Sequence, residues 1–432
     1  MKDGFIKAAS ASPVIKVADT EYNAQRVIET IKAADEMGVK MLVFPELVLT
    51  GCTCYDLTGH NVVLRGAKKA LLEVIAASEG VDMLVFVGLP IAVGSRLYSC
   101  AAAIYDGELL GLVPRENVRG TQFAEPADSY VEVEIDAEHV AVLSTDYVFT
   151  CAALPDLKVA AELGADIDAL VPPSVRHAQA GATVIAQLAS FPETVTSADE
   201  AELTLRSQSR RLHCGMIMAA PGKGESTTDN VFSGLCMIAE NGEVLAASEC
   251  ENSMAVTELD VEYIVNTRRE SDDFDLDSDE YYEAVWGGEP VETELTRSYR
   301  KYPHLPAKAE DLPTYCERML DIQVSGLVKR MEYAGLDHCV VGISGGVDST
   351  LAVMVSAMAV KKMGLPSTNV IACTLPCFGT SSRTKSNAIV VAEQIGAEVR
   401  VIDIGKSVYQ HFDDIGHAHD DYSIAFENAQ AR

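Results

Sequence analysis

Positive charge is scarce in this chain. Its 432 residues carry 34 lysines and arginines against 64 aspartates and glutamates, a formal net charge of -30. Non-specific binding to nucleic acid or to an anionic membrane rewards clustered Lys and Arg, so both classes are excluded. A small anionic ligand stays open, because backbone amides can bind phosphate inside an acidic protein. Long uncharged apolar runs are also missing. The start, MKDGFIKAAS, has no signal-peptide core. The most apolar late stretch, CVVGISGGVDSTLAVMVSAMAV, is interrupted by Asp348 and two glycines and is not a membrane span. The 11 cysteines are scattered and form no CxxC pair. That pattern argues against structural zinc and for free thiols in a reducing cytoplasm.

Strand and helix signals alternate from the start. FIKAAS reads as a strand, residues 22–37 show apolar residues at helical spacing, and VKMLVFPEL reads as a buried strand ending in a loop. Two hairpins are predicted, one turning at Asp106-Gly107 and one at Asn241-Gly242. Together these signals predict one layered α/β domain over residues 1–260. An acidic run, ESDDFDLDSDEYYE, follows. Tested as a calcium loop from Asp273, it puts Ser278 at the glycine position and Ala284 at the last ligand position, so the match fails. With a proline-rich stretch at 303–313 it predicts a linker over 261–313. Residues 314–432 then read as an amphipathic helix followed by a βαβαβ run, hence a parallel sheet.

The strongest motif is GISGGVDST, Gly342 to Thr350, between a buried strand and a helix. Gly345 and Gly346 allow a bulky anion to approach the backbone closely. The helix N-terminus supplies free N–H donors and a positive dipole end. Ser344, Ser349 and Thr350 add hydroxyls, and Asp348 is suited to hold Mg²⁺. No lysine follows the glycines, so this is neither a GxxxxGK[ST] loop nor GxGxxG. A second feature is AELGADIDALVPPS, a buried strand running into a proline-rich loop. Strand ends of that kind often carry a nucleophile, yet the candidate position is Gly164.

The loop SGGVDST resembles the pyrophosphate-binding loop of ATP pyrophosphatases. TLPCFGTSSRT, FENAQAR, RKYPHLP and CERMLDIQVSGLVKRM narrow the resemblance to NAD synthetases. The first half, including FPELVLTG, YSCAAAIYDGELLGLVPREN and RSQSRRLHCGMIMAAPGKGESTTDNVFSG, resembles the nitrilase-like glutaminase domain of glutamine-dependent NAD synthetases. The resemblance covers essentially the whole chain. It implies a nitrilase-like α-β-β-α sandwich followed by a partial Rossmann-like parallel α/β domain. It also implies ATP-dependent amidation of nicotinic acid adenine dinucleotide through an acyl-adenylate, with ATP and Mg²⁺.

By the same resemblance the glutaminase uses a Glu, a Lys and a Cys. Glu46 matches the first, Arg115 stands at the lysine position, and Gly164 stands at the cysteine position. Thr121 replaces a usual tyrosine, and QLASF, residues 187–191, departs from the glutamine-holding segment. Cys151 matches a different upstream position and is not expected to substitute. Glutamine hydrolysis is therefore expected to be lost, leaving ammonia as the nitrogen source. For the second domain the resemblance assigns ATP phosphates to Gly342, Ile343, Ser344, Gly345, Gly346, Val347, Asp348 and Ser349, and Mg²⁺ to Asp348. It assigns substrate contacts to Arg383, Glu427, Asn428 and Arg432. The family continues beyond the position of Arg432 with further strands and ligands, so the synthetase part is expected to be incomplete. A non-catalytic relative serving as an assembly module is the alternative. The expected partners are small molecules and further copies of the chain in a homo-oligomer.

Overall fold

The computed structural model describes residues 2–126, 130–249, 252–271, 274, 281–287, 290–377 and 382–431. The chain divides into two compact units, Met1–Ser298 and Tyr299–Arg432.

The first unit opens with β1 (Phe5–Ser12), α1 (Thr20–Glu36), β2 (Met41–Val43) and α2 (Asn61–Ala77). Strands β3 (Leu84–Val93), β4 (Arg96–Tyr105), β5 (Glu108–Pro114), β6 (Val131–Glu134), β7 (Val140–Leu143), β8 (Tyr147–Cys151) and β9 (Leu154–Leu163) follow. Then come α3 (Pro173–Gln179), β10 (Val184–Leu188), α4 (Ser197–Arg211) and β11 (Gly215–Ala219). The unit closes with β12 (Cys236–Glu240), β13 (Glu243–Ser248), β14 (Ser253–Asp260), α5 (Val261–Arg269) and β15 (Tyr282–Trp286). One sheet has the order β14-β1-β2-β3-β4-β5-β7-β6, the other β13-β12-β11-β10-β9-β8-β15.

Alternating strand faces explain the layering. Ile6, Phe86, Phe149, Val159 and Ile217 form a core between the sheets. The other face of the first sheet packs with Val27, Ile31, Leu71 and Ile75 of α1 and α2. The other face of the second sheet, with Ala160, Ile185 and Met216, packs on Leu205 of α4 and Ala178 of α3. The result is the expected α-β-β-α sandwich. Both hairpins turn where the sequence places them, with Asp106 at φ 46° and Gly107 at φ 78°, and Asn241 at φ 46° and Gly242 at φ 90°. Two consecutive positive φ angles match the twist of the flanking strands.

The stretch read as a linker needs correction in its first part. Residues 261–269 form α5, capped by Asp260, which accepts from Tyr263 N–H at 2.9 Å. Residues 282–286 form β15, which pairs parallel to β8 and seats Trp286 in the inter-sheet core. Arg297 is anchored too, with Nη1 and Nη2 donating to the two oxygens of buried Glu240 at 3.1 and 3.0 Å. Most of the acidic run between α5 and β15 lies outside the described residues.

The second unit contains α6 (Leu312–Ala334), β16 (Cys339–Gly342), α7 (Val347–Lys362), β17 (Val370–Thr374), α8 (Ser382–Ile395), β18 (Glu398–Val401), α9 (Gly405–Ile415) and α10 (Ile424–Ala431). Its three strands pair in parallel in the order β16-β17-β18, as the βαβαβ reading predicts. Met331, Val353, Val360, Val370 and Ala372 fill the core of this unit.

Candidate active sites

Three strand ends of the first unit meet at one place. Glu46 lies three residues past β2, Arg115 directly follows β5, and Gly164 directly follows β9. Gly88 of β3 makes room for the first of these loops: a Cβ there would lie 2.4 Å from Leu47 N and 2.5 Å from the Pro45 carbonyl. Glu46 is 1% exposed. Its Oε1 accepts from Ser99 Oγ at 2.6 Å, and Arg115 Nη1 donates to its two oxygens at 3.3 and 3.2 Å. Arg115 Nε donates to the Asn117 carbonyl at 2.9 Å. A buried carboxylate thus receives a hydroxyl and a guanidinium, which offsets its desolvation.

Gly164 completes the group. A Cβ built on it would lie 2.5 Å from Arg115 Nη1 and 2.5 Å from Glu46 Oε2. Its φ is 53°, in the left-handed region. The guanidinium therefore occupies the space that any side chain at position 164 would enter. The surrounding frame is intact. Asp166 accepts from the N–H groups of Leu163 at 3.1 Å, Glu116 at 3.2 Å and Asn117 at 2.6 Å, tying the turn after β9 to the loop after β5. Burial pushes the Asp166 carboxyl up to about 6, against the lowering effect of those N–H donors. Gln187 Nε2 holds the Gly164 carbonyl at 2.9 Å.

Cys151 is a partner in none of the hydrogen bonds just described. It lies in the inter-sheet core at the end of β8, and its Sγ stands 2.9 Å from where a Cβ on Gly287 would be. Thr121 Oγ donates to the Val118 carbonyl at 2.7 Å. Sequence reasoning missed a different thiol. Partly buried Cys52 donates its S–H to the Glu46 backbone carbonyl at 2.9 Å. Burial, then the carboxylates of Glu225 and Glu46, hold this thiol well above its ordinary pKa, with Arg115 a smaller opposing influence. Glu225 shapes the loop by accepting from Cys52 N–H at 2.8 Å and Thr53 N–H at 3.0 Å. The one available signal was proximity in sequence, since Cys52 follows Glu46 by six residues. A thiol so disfavoured as thiolate is a poor nucleophile.

Behind the turn, Glu162 is buried and pushed up to about 8, first by burial and then by Asp166. It accepts from Ser174 N–H at 3.0 Å. Its folded-state pKa lies above the unfolded one, so its contribution to stability is full below about 4.5 and is lost as pH rises to about 8. Glu162→Gln is expected to flatten the stability profile across that window. Urea unfolding at pH 5 and pH 8 checks this.

The phosphate-loop candidates lie between β16 and α7 in the second unit. Gly345 has φ 80°, and Gly346 caps α7. Ser344 N–H donates to Ser349 Oγ at 3.2 Å, and Gly346 N–H donates to Ser344 Oγ at 3.3 Å. Ile343 N–H donates to the Cys373 carbonyl at 2.7 Å, fixing the loop to β17. Asp348 sits exposed in the first turn of α7. Asn428 is exposed on α10. Arg383 and Glu427 lie in α8 and α10, but their side chains, and all of Arg432, are outside the described residues.

Comparison with known proteins decides the family. Residues 7–269 match the carbon-nitrogen hydrolase family model. The chain belongs to the carbon-nitrogen hydrolase family. Residues 319–432 of this hydrolase-family chain match the NAD synthase model, so both domain types implied by the resemblance are present. The chain is 32% identical over 451 residues to the glutamine-dependent NAD(+) synthetase of Mycobacterium tuberculosis strain H37Rv, covering 99% of this chain and 66% of that protein. The Mycobacterium leprae enzyme of the same name gives the same identity and coverage. The chain thus spans about two thirds of the length of these curated relatives. Among solved structures, a glutamine-dependent NAD(+) synthetase from Cytophaga hutchinsonii matches with TM-score 0.52 at 16% identity, covering 99% of this chain and 71% of that one. One from Acinetobacter baumannii matches at TM-score 0.50 and 18% identity, covering 99% and 70%. These likenesses establish a shared fold. No helix among the described residues is long and apolar enough to cross a membrane.

Proposed function

We propose that the chain belongs to an ATP-dependent ligase that amidates nicotinic acid adenine dinucleotide to NAD⁺, with free ammonia as nitrogen source. The observation that carries the ammonia dependence is the overlap of Arg115 with the side-chain space of position 164. Glutamine hydrolysis in this family plan needs a thiolate to attack the amide, a carboxylate to move the proton and a cation to stabilise the developing oxyanion. Glu46 remains, but Gly164 offers no nucleophile, and Arg115 is engaged by the Glu46 carboxylate.

In the second unit the loop after β16 is the proposed ATP phosphate site. Backbone amides of Gly345, Val347 and Asp348 have no acceptor among the described residues, and the α7 dipole favours an anion there. The fit of Asp348 to Mg²⁺ rests on its exposed carboxylate, which makes no hydrogen bond or ion pair among the described residues. Mg²⁺ bound there with phosphate oxygens would neutralise charge on the leaving pyrophosphate. The loop orients the α-phosphorus for attack by the dinucleotide carboxylate, giving the acyl-adenylate and pyrophosphate. Ammonia then attacks the acyl carbon and AMP leaves. Arg383, Glu427, Asn428 and Arg432 are proposed to hold the dinucleotide. Ten described cysteines carry free thiols, which suits a reducing cytoplasm. A homo-oligomer is proposed as the assembly.

The test is direct. Extended to the full length of its curated relatives, the chain, given ATP, Mg²⁺, nicotinic acid adenine dinucleotide and ammonium, is expected to form NAD⁺ and AMP in equal amounts, and Asp348→Asn to lower the rate by about tenfold or more. No NAD⁺ from that folded, extended chain contradicts the ligase reading and favours the assembly-module alternative.

A further inference from the structure

We propose that Glu162 is held as a neutral acid whose O–H donates to Gln187 Oε1, making the pair a proton-dependent brace on the turn that carries Gly164. Glu162 of β9 and Gln187 of β10 are direct register partners on parallel strands. Glu162 shares its strand face with Ala160, and Gln187 with Ile185, the face covered by α3 and α4. Parallel neighbours lie about 4.8 Å apart, so the two side chains stand side by side. They are 1% and 0% exposed. Glu162 Oε2 accepts from Ser174 N–H at 3.0 Å, while its Oε1 has no partner among the described residues. Gln187 Nε2 donates to the Gly164 carbonyl at 2.9 Å, which fixes the orientation of the amide. Its Oε1 is left as an acceptor, also unpaired among the described residues. Two adjacent buried acceptors with nothing to accept are costly, and buried polar groups are nearly always paired. One proton on Glu162 Oε1 satisfies both.

The surroundings favour that proton. Asp166 in the turn and Glu116 after β5 both bring negative charge toward Glu162. On α3, burial pushes His177 down to about 3, so its imidazole is neutral, and Arg176 is taken by Glu116 and Asp146. Arg268 of α5 donates to the carbonyls of His213, Ala182 and Leu212. Cys214, just before β11, is a neutral thiol, pushed up to about 12 chiefly by burial. Burial, then Asp166, pushes the Glu162 carboxyl itself up to about 8. The proton is therefore present at neutral pH and leaves as pH rises through that value. Once ionised, Glu162 Oε1 faces the Gln187 carbonyl oxygen with charge of the same sign. Gln187 then turns away, and the Gly164 carbonyl loses its Nε2 donor. Below the midpoint the brace holds the turn against Arg115 and Glu46, and above it the turn loosens. The rival partner is the Ser174 hydroxyl, which would favour the anion instead.

Two readouts test the brace on the full chain. Infrared difference spectra between pH 7 and pH 9 follow the C=O stretch of a neutral carboxylic acid. Hydrogen exchange, corrected for its intrinsic pH dependence, follows the Leu163 and Asn117 amides that Asp166 of the turn holds. Asp166, at about 6, titrates below this window. A carboxylic acid band is expected to vanish as pH rises through about 8 and to be absent from Glu162→Gln. Protection of the two amides is expected to fall about fivefold over the same range, the worth of one ordinary hydrogen bond. In Glu162→Gln it is expected to stay constant, because the new amide N–H donates to Gln187 Oε1 at every pH. Gln187→Met removes the acceptor and is expected to raise the ionisation constant of Glu162 about fivefold, whereas Ser174→Ala is expected not to raise it. No band titrating between pH 7 and pH 9, equal loss of protection in the native chain and Glu162→Gln, or a midpoint unmoved by Gln187→Met overturns the brace. If Gln187→Met does not fold, the band and the exchange comparison decide.

Discussion

Gly164→Cys is expected to lose about 3 kcal/mol of stability and to hydrolyse no glutamine. Both effects come from the same collision. The new Cβ would meet Arg115 Nη1 and Glu46 Oε2 at 2.5 Å, so this buried, paired guanidinium and carboxylate must shift. Overpacking a filled site costs about 1–3 kcal/mol, and a left-handed backbone adds about 1–2 kcal/mol for a residue with a Cβ. The thiol is then present but pushed out of line with Glu46. Arg115→Lys combined with Gly164→Cys is expected to recover most of the loss, because a single ammonium leaves the space the guanidinium fills. The two sites touch, so their effects should be non-additive by about 1–3 kcal/mol. Chemical denaturation of the two single variants and the double variant measures that coupling. Simple additivity would mean that Arg115 does not fill the emptied position.

The second large effect is the loss of Arg115 alone. Glu46 is 1% exposed, and its nearby cation is the Arg115 guanidinium, itself only 11% exposed at the side chain. Arg115→Ala leaves a buried carboxylate with the Ser99 hydroxyl as its side-chain donor. Breaking a buried pair from one side costs about 3–5 kcal/mol. Glu46→Gln in the Arg115→Ala background should restore part of that stability by removing the stranded charge. If Arg115→Ala unfolds at the same urea concentration as the native chain, the ion pair is not the structural element described here.

What the sequence disclosed about this site depended on how local the signal was. The turns at Asp106-Gly107 and Asn241-Gly242 were legible because two adjacent residues determine their backbone. The glycine loop before α7 was legible for the same reason, and Glu46 because FPELVLTG is itself a compact motif. Gly164 could be located from the residues around it, but the reason no side chain fits there could not. That reason is Arg115, which arrives from another strand end. Cys52 escaped notice because the loop carrying it is shaped by Glu225, 173 residues away. β15 was hidden in an acidic segment and gains its strand identity from pairing with β8, about which local composition says nothing. Contacts of that length are set by topology, not by windows of sequence.

The most direct measurement of the central claim is isotope tracing. The chain, extended to the full length of its relatives, is supplied with ATP, Mg²⁺, nicotinic acid adenine dinucleotide and glutamine labelled in its amide nitrogen, and glutamate release is followed with the label in NAD⁺. No glutamate and no label transfer are expected, while added ammonium still supplies nitrogen. Glutamate release that disappears in Glu46→Gln would contradict the account, and its disappearance in Cys52→Ser as well would assign the missing thiol to Cys52.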